Sequence, residues 1–585
     1  MQIFNKSLSR LSAVGMGALG LLAIGFVGCG EDFLEVAPTG SLNEEVLSSE
    51  NGVEGLLIGA YSMLGGRGNY FGGASNWATG SIQGGEANKG TDAGDFVDIN
   101  VLQRYETDPT SRVPDNRWNG LYEGVSRANS TLRVLNLSTD PALTEDDRTR
   151  IAGEARFLRA LYYFQLKISF NSIPYFDETV PSAEIITTMN TPDVYPRIEE
   201  DLMYAVNNLP EVQTAAGRAN KTAAKALLGK VYLYQEKWSE ARSQFEDVIA
   251  NGVTANGQDV GLLDDYSDVF NAEFDNSMES IFAVQAAANT GSTNNANPDF
   301  VLNFPYNTGS SGPGNCCGFF QPSFDLANSY RTNDDGLPLL DGSYRNPSEE
   351  LTTDFGVDSG EDFTVDDKMV DPRLDHAVGR RGIPYLDWGI FPGKAWIRDQ
   401  GFAGPYSPKK YIYYQAQEGS LTDGSSWTRG YTAVNYNIIR FADVLLMAAE
   451  ANAELGDLER ATELVNMVRM RAANEDTFVK LDDGTNAANY KIGLYDTFGS
   501  QDMALEAIYF ERKLELSGEG YRFYDLVRWG IAADYLNSYL DYESQYLSNA
   551  LGGASFTEGK NEYLPIPQGQ IDLQGADVLK QNPGY

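Results

Sequence analysis

Three glutamates near the C-terminus, Glu511, Glu515 and Glu519, recur at four-residue intervals and are the first candidates for chemistry. On one continuous helix they would share a face, with Cβ atoms about 5–6 Å apart. Two carboxyl groups at short separation can serve a glycosidase as acid and nucleophile, but those groups come from separate elements that converge on a cleft. Here arginines and lysines are interleaved, and Asp525 and Arg528 form a further i, i+3 pair. The spacing therefore favours a salt-bridged helix with a structural role.

Aromatic residues in irregular stretches form a second candidate group. Sugar rings stack their C–H faces on flat side chains, and their hydroxyls pair with amides and carboxylates. The tryptophans of helical stretches are expected to be packing anchors, namely Trp118, Trp238 and Trp529, whereas irregular stretches hold Trp77, Trp388, Trp396 and Trp427. The predicted ligand-binding residues are Tyr70, Phe71, Asn76, Trp77, Glu86, Tyr306, Asn315, Phe319 and Phe320. For each ring taken singly, the alternative of a plug in a local core stays open.

Two of the three cysteines are adjacent, Cys316 and Cys317, in the segment GNCCGFF. In an oxidising compartment such a pair can close into a vicinal disulfide, which makes a rigid corner. The alternative is two free thiols. Paired exposed thiols outside the cytoplasm tend to oxidise, which favours the disulfide.

The third cysteine, Cys29, follows a positively charged start and an apolar run over residues 11–28. The run is no longer than the lower limit for a spanning helix and lacks basic stop-transfer residues after it, which predicts a secretory signal over residues 1–28. Phe-Val-Gly-Cys resembles a bacterial lipobox, so Cys29 is expected to carry lipid as the first mature residue. A plain signal peptide with a chance cysteine is the alternative. The Gly-Glu-Asp that follows resembles a tag for the outer face of the outer membrane.

The net charge and the histidine content of the chain exclude several classes of function. Asp and Glu number 82 against 44 Lys and Arg, and the net charge of −38 repels phosphate backbones, which excludes nucleic-acid binding. His376 is the only histidine, so multi-histidine zinc sites and Ser-His or Cys-His machinery are hard to build. Acidic clusters at 331–336 and 354–363 could hold Ca²⁺, but they lack EF-hand spacing and favour solvated loops. We expect no cofactor.

Helical elements must position these groups. Apolar residues at 3–4 spacing predict helices over residues 51–64, 117–135, 151–168, 194–210 and 504–530. Two segments, 222–252 and 441–472, have the spacing of tetratricopeptide repeats, in which small residues let paired helices approach. Between 253 and 436 the pattern gives way to Gly, Asn, Asp, Ser and Pro, which predicts a folded loop-rich subdomain. Residues 65–116 form a second irregular patch, and loops on a scaffold are where binding is expected.

Seven segments resemble the SusD/RagB family of outer-membrane nutrient-uptake lipoproteins, in the family's order. They are CGEDFLEVAPTG (29–40), RWNGLYEGVSRAN (117–129), GEARFLRALYYFQL (153–166), GRANKTAAKALLGKVYL (217–233), RFADVLLMAAEANAELG (440–456), ERKLELSGEGYRFYDLVRWG (511–530) and YLPIPQGQIDLQ (563–574) with QNPGY (581–585). The resemblance implies a mainly α, SusD-like scaffold of tetratricopeptide-like helix pairs with an irregular ligand-facing subdomain. The implied divisions are a signal peptide (1–28), an N-terminal helical region (29–252) with a loop insertion (65–116), the irregular subdomain (253–436) and a C-terminal helical region (437–585).

The resemblance also implies a function. Such a protein is a non-enzymatic, lipid-anchored protein at the cell exterior that captures an oligomeric nutrient, usually a glycan, and delivers it to a SusC/RagA-type TonB-dependent transporter. Family members often bind through an aromatic arc from equivalent regions, which favours Trp77 and residues 306–320.

Three alternatives stay open at this stage. The first is a peptide ligand, which acidic loops would favour if the peptide were basic. The second is a surface glycosidase or peptidase, although no nucleophile motif or metal site is visible in the sequence. The third is a purely structural helical adaptor, which the cost of ordering so long an irregular region opposes.

Overall fold

The computed structural model describes residues 44–66, 71–297, 299–314 and 316–585. The N-terminal helices are α1 (Glu44–Leu47), α2 (Glu50–Tyr61), α3 (Asp98–Gln103), α4 (Arg112–Leu137), α5 (Glu145–Phe170), α6 (Ser182–Ile185), α7 (Tyr195–Asn208), α8 (Lys221–Leu233) and α9 (Trp238–Asn251). The later helices are α10 (Phe324–Ser329), α11 (Leu374–Ala377), α12 (Gln400–Ala403), α13 (Phe441–Glu454), α14 (Leu458–Ala472), α15 (Gln501–Glu515), α16 (Arg522–Arg528), α17 (Ala532–Glu543), α18 (Ser548–Leu551) and α19 (Gln568–Gln574). The expected mainly α scaffold is confirmed.

The strands are short and pair only two by two within the described residues. In chain order they are β1 (Ala87–Gly90), β2 (Ile173–Pro174), β3 (Asn190–Thr191), β4 (Ser280–Val284), β5 (Phe319–Pro322), β6 (Val378–Gly379), β7 (Ser407–Pro408), β8 (Thr422–Asp423), β9 (Tyr431–Thr432) and β10 (Tyr436–Arg440). The antiparallel pairs are β1–β5, β2–β3, β4–β10, β6–β7 and β8–β9.

The two long helices α4 and α5, of 26 residues each, pack side by side. Helix α5 begins at a capping box, in which Thr144 Oγ1 accepts the backbone N–H of Asp147 and the Asp147 carboxylate accepts that of Thr144. Three acidic residues in its first turn complement the positive end of the helix dipole. Its second half is buried on all sides, so α5 forms the centre of the N-terminal core.

The predicted helix pairs are present at both places. Helices α8 and α9 pack as one antiparallel pair, α13 and α14 form the other, and α13 packs on α9. Gly229 makes the first pair possible, because a Cβ there would lie 2.6 Å from the ring of Phe245. In the second pair, fully buried alanines such as Ala448 and Ala449 give the same close approach.

The prediction of one helix over residues 504–530 is wrong. Helix α15 ends at Glu515 and α16 begins at Arg522, because Gly518 and Gly520 adopt left-handed backbone conformations with φ of +73° and +79°. A Cβ on Gly520 would lie 2.2 Å from the carbonyl oxygen of Ser75, so only glycine fits. Glu519 therefore leaves the helical face on which the sequence placed it.

The three signature glutamates are nevertheless gathered in a buried ion cluster, which we call the charge hub. It consists of Glu279, Glu511, Glu515 and Glu519 with Arg373, Lys410, Arg440, Arg469 and Arg471. Burial by itself would raise the pKa of Glu515, but the guanidinium groups of Arg471, Arg440 and Arg373 hold it well below its usual range. Every carboxylate has a cationic partner, as buried charges require, and the hub supports the structural role expected of the signature.

The loop-rich region has a small hydrophobic core of its own. It is formed by Phe304, Tyr385, Trp388, Phe391, Trp396, Ile397, Ile412 and Tyr413. Two of the four irregular-region tryptophans are thus used in packing. The signal segment, Cys29 and residues 30–43 lie outside the described residues. Among the helices that are described, none combines the length and apolar composition needed to cross a bilayer.

Candidate functional site

The two loop regions predicted to bind meet in the structure, but their rings form a buried cluster. Strand β1 pairs with β5, with Gly90 opposite Phe319. The Trp77 ring lies 5.8 Å from that of Phe320 and 6.3 Å from that of Phe71. The exposed fractions of these four aromatic side chains lie between 1% and 6%. Their faces are covered by other side chains, and the prediction that they contact a ligand stays untested.

The predicted polar residues of the first loop are also internal. Asn76 Nδ2 donates to Gln165 Oε1 at 3.1 Å, and Glu86 Oε2 accepts the backbone N–H of Gly518 at 3.1 Å. Burial raises the pKa of Glu86 to about 7. Both side chains therefore attach the first loop to the scaffold. Because ligand-binding sites use the same residue types, the sequence alone does not distinguish these two residues from ligand-binding ones.

The remaining predicted residues are Tyr306, Tyr70, Asn315 and the two adjacent cysteines. Tyr306 is half-buried, with the guanidinium of Arg398 5.2 Å from its ring centre. Tyr70 and Asn315 lie outside the described residues. Cys316 and Cys317 are joined by a disulfide across a cis peptide bond, with Cys317 buried and Cys316 half-buried.

A cleft of about 970 Å³ opens where α2, α4 and the segment after β4 meet. Its lining includes several small residues, which leave room for a ligand: Ala215, Ala216, Gly217, Ala283, Ala286 and Ala287. Its polar edge carries amides and hydroxyls from the loop 285–297, including Thr290, Asn294 and Asn295. Asn295 Nδ2 donates to Thr290 Oγ1 at 2.8 Å, so the loop is braced by its own side chains.

The hairpin formed by β8 and β9 adjoins this loop and presents the most exposed tryptophan of the seven. The exposed fraction of Trp427 is 55%, whereas each of the others is buried or half-buried. Its Nε1 donates to Tyr431 Oη at 3.0 Å, and the two rings meet edge to face. The indole is therefore held in place at one edge while its surface stays open to solvent.

Three loops are joined into one surface by hydrogen bonds from the hairpin. The backbone N–H of Asn297 donates to Thr432 O at 2.8 Å, which ties the hairpin to the cleft loop. Thr428 Oγ1 donates to Gly314 O at 3.0 Å, and an Arg429 guanidinium N–H donates to Gly312 O at 3.0 Å. We call the combined surface of residues 285–297, 306–314 and 419–432 the loop face.

Trp427 was grouped with the irregular-region tryptophans from the sequence but was absent from the predicted site. A usable signal was present in its neighbours. The segment Gly-Ser-Ser-Trp-Thr-Arg-Gly at 424–430 surrounds the indole with turn residues and no apolar partner. Tyr431 is the one aromatic or aliphatic residue within five positions of Trp427, and a tryptophan with so few such neighbours along the chain is more readily exposed than one in an aromatic run such as Gly-Phe-Phe.

The charges around the cleft are paired and leave it without a free cation among its described lining residues. Arg127 donates to Glu123 Oε1 at 2.8 Å, and Arg218 pairs with Glu54 and Glu154. Tyr61 Oη also donates to Glu154, at 2.7 Å. Aromatic surface, amides and neutralised ion pairs suit a neutral, hydroxyl-rich ligand better than an ion.

Metal ligation has little support in this part of the molecule. Over the described ranges, His, Cys, Asp and Glu side chains do not gather in threes as a metal site would need. The acidic segment 331–336 instead forms a turn, in which Asn333 Oδ1 accepts the backbone N–H groups of Asp335 and Leu337. The expectation that no cofactor is bound stays untested, and so does the alternative of Ca²⁺ at these acidic segments.

Comparison with known families identifies the scaffold. The family model described as "SusD family" matches residues 278–585, and a second, described as "Starch-binding associating with outer membrane", matches residues 32–233. This chain belongs to the SusD family. The two matches lie in order along the chain, and the resemblance first drawn from seven segments is confirmed.

Individual relatives agree along most of their length. "SusD-like protein P25" of Formosa agariphila is 27% identical, over 71% of this chain and 70% of its own. "Starch-binding protein SusD" of Bacteroides thetaiotaomicron is 24% identical, over 77% and 75% of the two chains. A solved structure titled "Laminarin binding SusD-like protein" is 27% identical, with a TM-score of 0.65 over 92% of this chain and the whole of that one. The fold is therefore shared along nearly the entire chain.

Proposed function

We propose that this SusD-family protein binds a neutral oligosaccharide at the loop face and the adjoining cleft. The observation that carries the proposal is Trp427, an open indole on the hairpin that is hydrogen-bonded to the cleft loop with its amides and hydroxyls. A sugar ring stacks on such a surface through its C–H face, while its hydroxyls bond to planar polar groups. The names of two relatives, one starch-binding and one laminarin-binding, support a glucan as the first probe.

Neutrality of the ligand follows from charge. A chain with a net charge of −38 repels polyanions such as sulfated or uronic-acid polymers. The arginines that line the cleft, Arg127 and Arg218, are already paired with carboxylates. A basic peptide would need unpaired acidic side chains at the cleft, and its described lining residues include none. The loop face therefore favours a neutral sugar over both charged alternatives.

The proposal extends to location and delivery. A lipid on Cys29 would hold the protein at the outer membrane, in keeping with the family description "associating with outer membrane". There it would pass its ligand to a SusC/RagA-type TonB-dependent transporter. Tethering raises the effective concentration of protein at the transporter, so modest affinity for the free ligand would suffice and would ease release. The protein would act by binding alone, without covalent chemistry.

Isothermal titration with laminarin and soluble starch tests the proposal. We expect binding of at least one glucan, and an affinity about tenfold lower in Trp427→Ala, because 1.4 kcal/mol corresponds to a factor of ten and an aromatic contact contributes about that much. Trp427→Phe should keep most of the affinity. Met470→Ala, which truncates an exposed side chain on α14, is the matched control and should bind like the parent.

Two results would contradict the proposal. Unchanged affinity in Trp427→Ala would remove the loop face as the site. Release of shorter sugars from either glucan over a long incubation would show that the protein is an enzyme.

A further inference from the structure

A second cavity, of about 260 Å³, lies against the N-terminal half of α4. We call it the α4 cavity. It is lined by Trp118, Asn119, Tyr122, Glu123, Pro174, Phe176, Ile185, Gln570 and Gln574. One side is aromatic, and the other carries amides and a carboxylate. That division is the one a sugar ring needs, since its faces are apolar and its rim is made of hydroxyls.

The aromatic side is rigid. The ring of Tyr122 stacks on that of Phe176 with centres 5.6 Å apart and planes 16° apart, and Trp118 packs 4.7 Å from Tyr122. Tyr122 Oη donates to the carbonyl oxygen of Pro174 at 2.7 Å, which fixes the tilt of the ring. Trp118 itself is buried, as expected of a packing anchor, so Tyr122 is the half-exposed ring of the set.

The polar side is supplied by the short helix α19. Gln570 Nε2 donates to Asn119 Oδ1 at 3.1 Å, which ties α19 to α4 across the cavity. Gln574 Oε1 is a buried acceptor with no hydrogen-bond partner among the described residues. A buried acceptor without a donor costs free energy, so a bound hydroxyl group at this position would be favoured.

The α4 cavity and the cleft are neighbours along one helix. Glu123 lines the cavity, Arg127 lines the cleft, and the two side chains form an i, i+4 ion pair at 2.8 Å. Since an α-helix rises 1.5 Å per residue, Glu123 and Arg127 lie about 6 Å apart along the axis. The two spaces thus approach each other along α4 at this ion pair, whose side chains are both partly exposed.

We propose that the α4 cavity is a distal subsite of the glycan site, so that one oligosaccharide chain runs from the cleft across the Glu123–Arg127 pair to Tyr122. The inference rests on the proposed function, because the cleft is its other half. It specifies the ligand further: the chain must be long enough to reach both spaces, and it must be neutral where it crosses a neutralised ion pair. Carboxylate and guanidinium edges are suitable partners for the hydroxyls that pass over them.

Chain length is the measurable consequence. When two subsites hold one ligand, the second contact is intramolecular, and the affinity rises by more than either contact alone provides. A short sugar fills only the cleft, whereas a longer one also reaches Tyr122 and the α19 glutamines. The parent protein should thus bind a hexasaccharide at least tenfold more tightly than a trisaccharide of the same linkage.

The test is a set of titrations with laminaritriose and laminarihexaose, and in parallel with maltotriose and maltohexaose. The variant is Gln570→Ala/Gln574→Ala, which removes two cavity-lining amides from a surface helix and leaves the aromatic core intact. Gln568→Ala is the matched control, because Gln568 lies on the same helix but bonds to Asp572 rather than lining the cavity. We expect the double variant to bind the hexasaccharide nearly as weakly as the trisaccharide, and the control to bind like the parent.

The outcomes separate the inference from the proposed function. The distal subsite is overturned if the parent binds both chain lengths with equal affinity, or if the double variant keeps the parent's affinity for the hexasaccharide. In either case, Trp427→Ala can still confirm the cleft. Binding of none of the four sugars overturns the proposed neutral-glucan function and the distal subsite together. A loss of trisaccharide affinity in the double variant would also overturn the subsite, since α19 would then be acting on the cleft itself.

Discussion

Arg440 holds the strands that carry the candidate site. It is the last residue of β10, its exposed fraction is 0%, and its guanidinium contacts Glu279 at 2.8 Å and both Glu515 and Glu519 at 2.7 Å. Glu279 directly precedes β4, the partner of β10, and β4 leads into the cleft loop 285–297. Replacing Arg440 with methionine keeps the approximate volume and removes the charge that all three carboxylates share.

The expected loss is large. Removing one partner of a buried ion pair costs about 3–5 kcal/mol, because the charge that remains loses its compensation. Glu279, Glu515 and Glu519 each keep a second cation, from Arg471 or Lys410, so Arg440→Met should cost an amount within that range rather than above it. At about 2.1 cal/mol/K per residue, a chain of 585 residues unfolds with an entropy of roughly 1.2 kcal/mol/K, so the Tm should fall by about 2–4 °C. Calorimetry and urea denaturation measure both quantities.

Two further variants make the reasoning refutable. Arg197→Met breaks an i, i+3 pair with Glu200 in which both side chains are more than half exposed, and it should cost no more than about 1 kcal/mol. Adding Glu519→Gln to Arg440→Met removes a carboxylate that contacts Arg440, and the two changes should be non-additive, with a coupling energy of about 0.5–3 kcal/mol. If Arg440→Met is no more damaging than Arg197→Met, or if the double variant shows strict additivity, the hub is not what holds β4 and β10 together.

Two other variants test the frame of the site. Because burial raises the pKa of Glu86 from 4.5 to about 7, the folded state binds the proton more tightly than the unfolded state, and stability due to this group falls as the pH rises through that window. Between pH 4.5 and 7, Glu86→Gln should remove on the order of 3 kcal/mol from the pH dependence of the free energy of unfolding. Urea unfolding of variant and parent across this pH range measures the difference. Parallel plots of unfolding free energy against pH would contradict the raised pKa of Glu86. Gly520→Ala should destabilise by more than about 1 kcal/mol, since it combines a φ of +79° with a 2.2 Å approach to Ser75 O, and a neutral result would mean that the α15–α16 break can be rebuilt.

Sequence periodicity predicted the scaffold well because a helix face repeats locally. The helices at α4, α5 and α7 and the two tetratricopeptide-like pairs appear where apolar spacing placed them. The error at residues 504–530 has a long-range cause. Gly518 and Gly520 have left-handed backbone conformations, and at Gly520 the carbonyl oxygen of Ser75 approaches so closely that only glycine fits, a contact with a residue far away in the sequence.

The candidate site was harder to predict for a related reason. Composition marks Trp77 and Phe320 as loop aromatics, but whether a loop ring binds or packs depends on which distant loop lies over it. The pairing of β5 with β1 accompanies the contact between the Trp77 and Phe320 rings, which are both buried, whereas Trp427 in the β8–β9 hairpin is open to solvent. Sequence resolves the residue types that such a site needs; the pairing of distant strands decides which of them are exposed.

The separation between hub and loop face has a functional consequence. The signature residues Glu515 and Glu519 fix Arg440, and through it β4 and β10, while none of these side chains lines the cleft. The bond from Asn297 N–H to Thr432 O joins residues 285–297 to residues 419–432 through backbone groups, which a side-chain substitution does not remove. Substitutions at the cleft-lining positions of these loops change no residue of the charge hub. A scaffold of this kind can keep one fold while the loop face is altered to fit a different ligand.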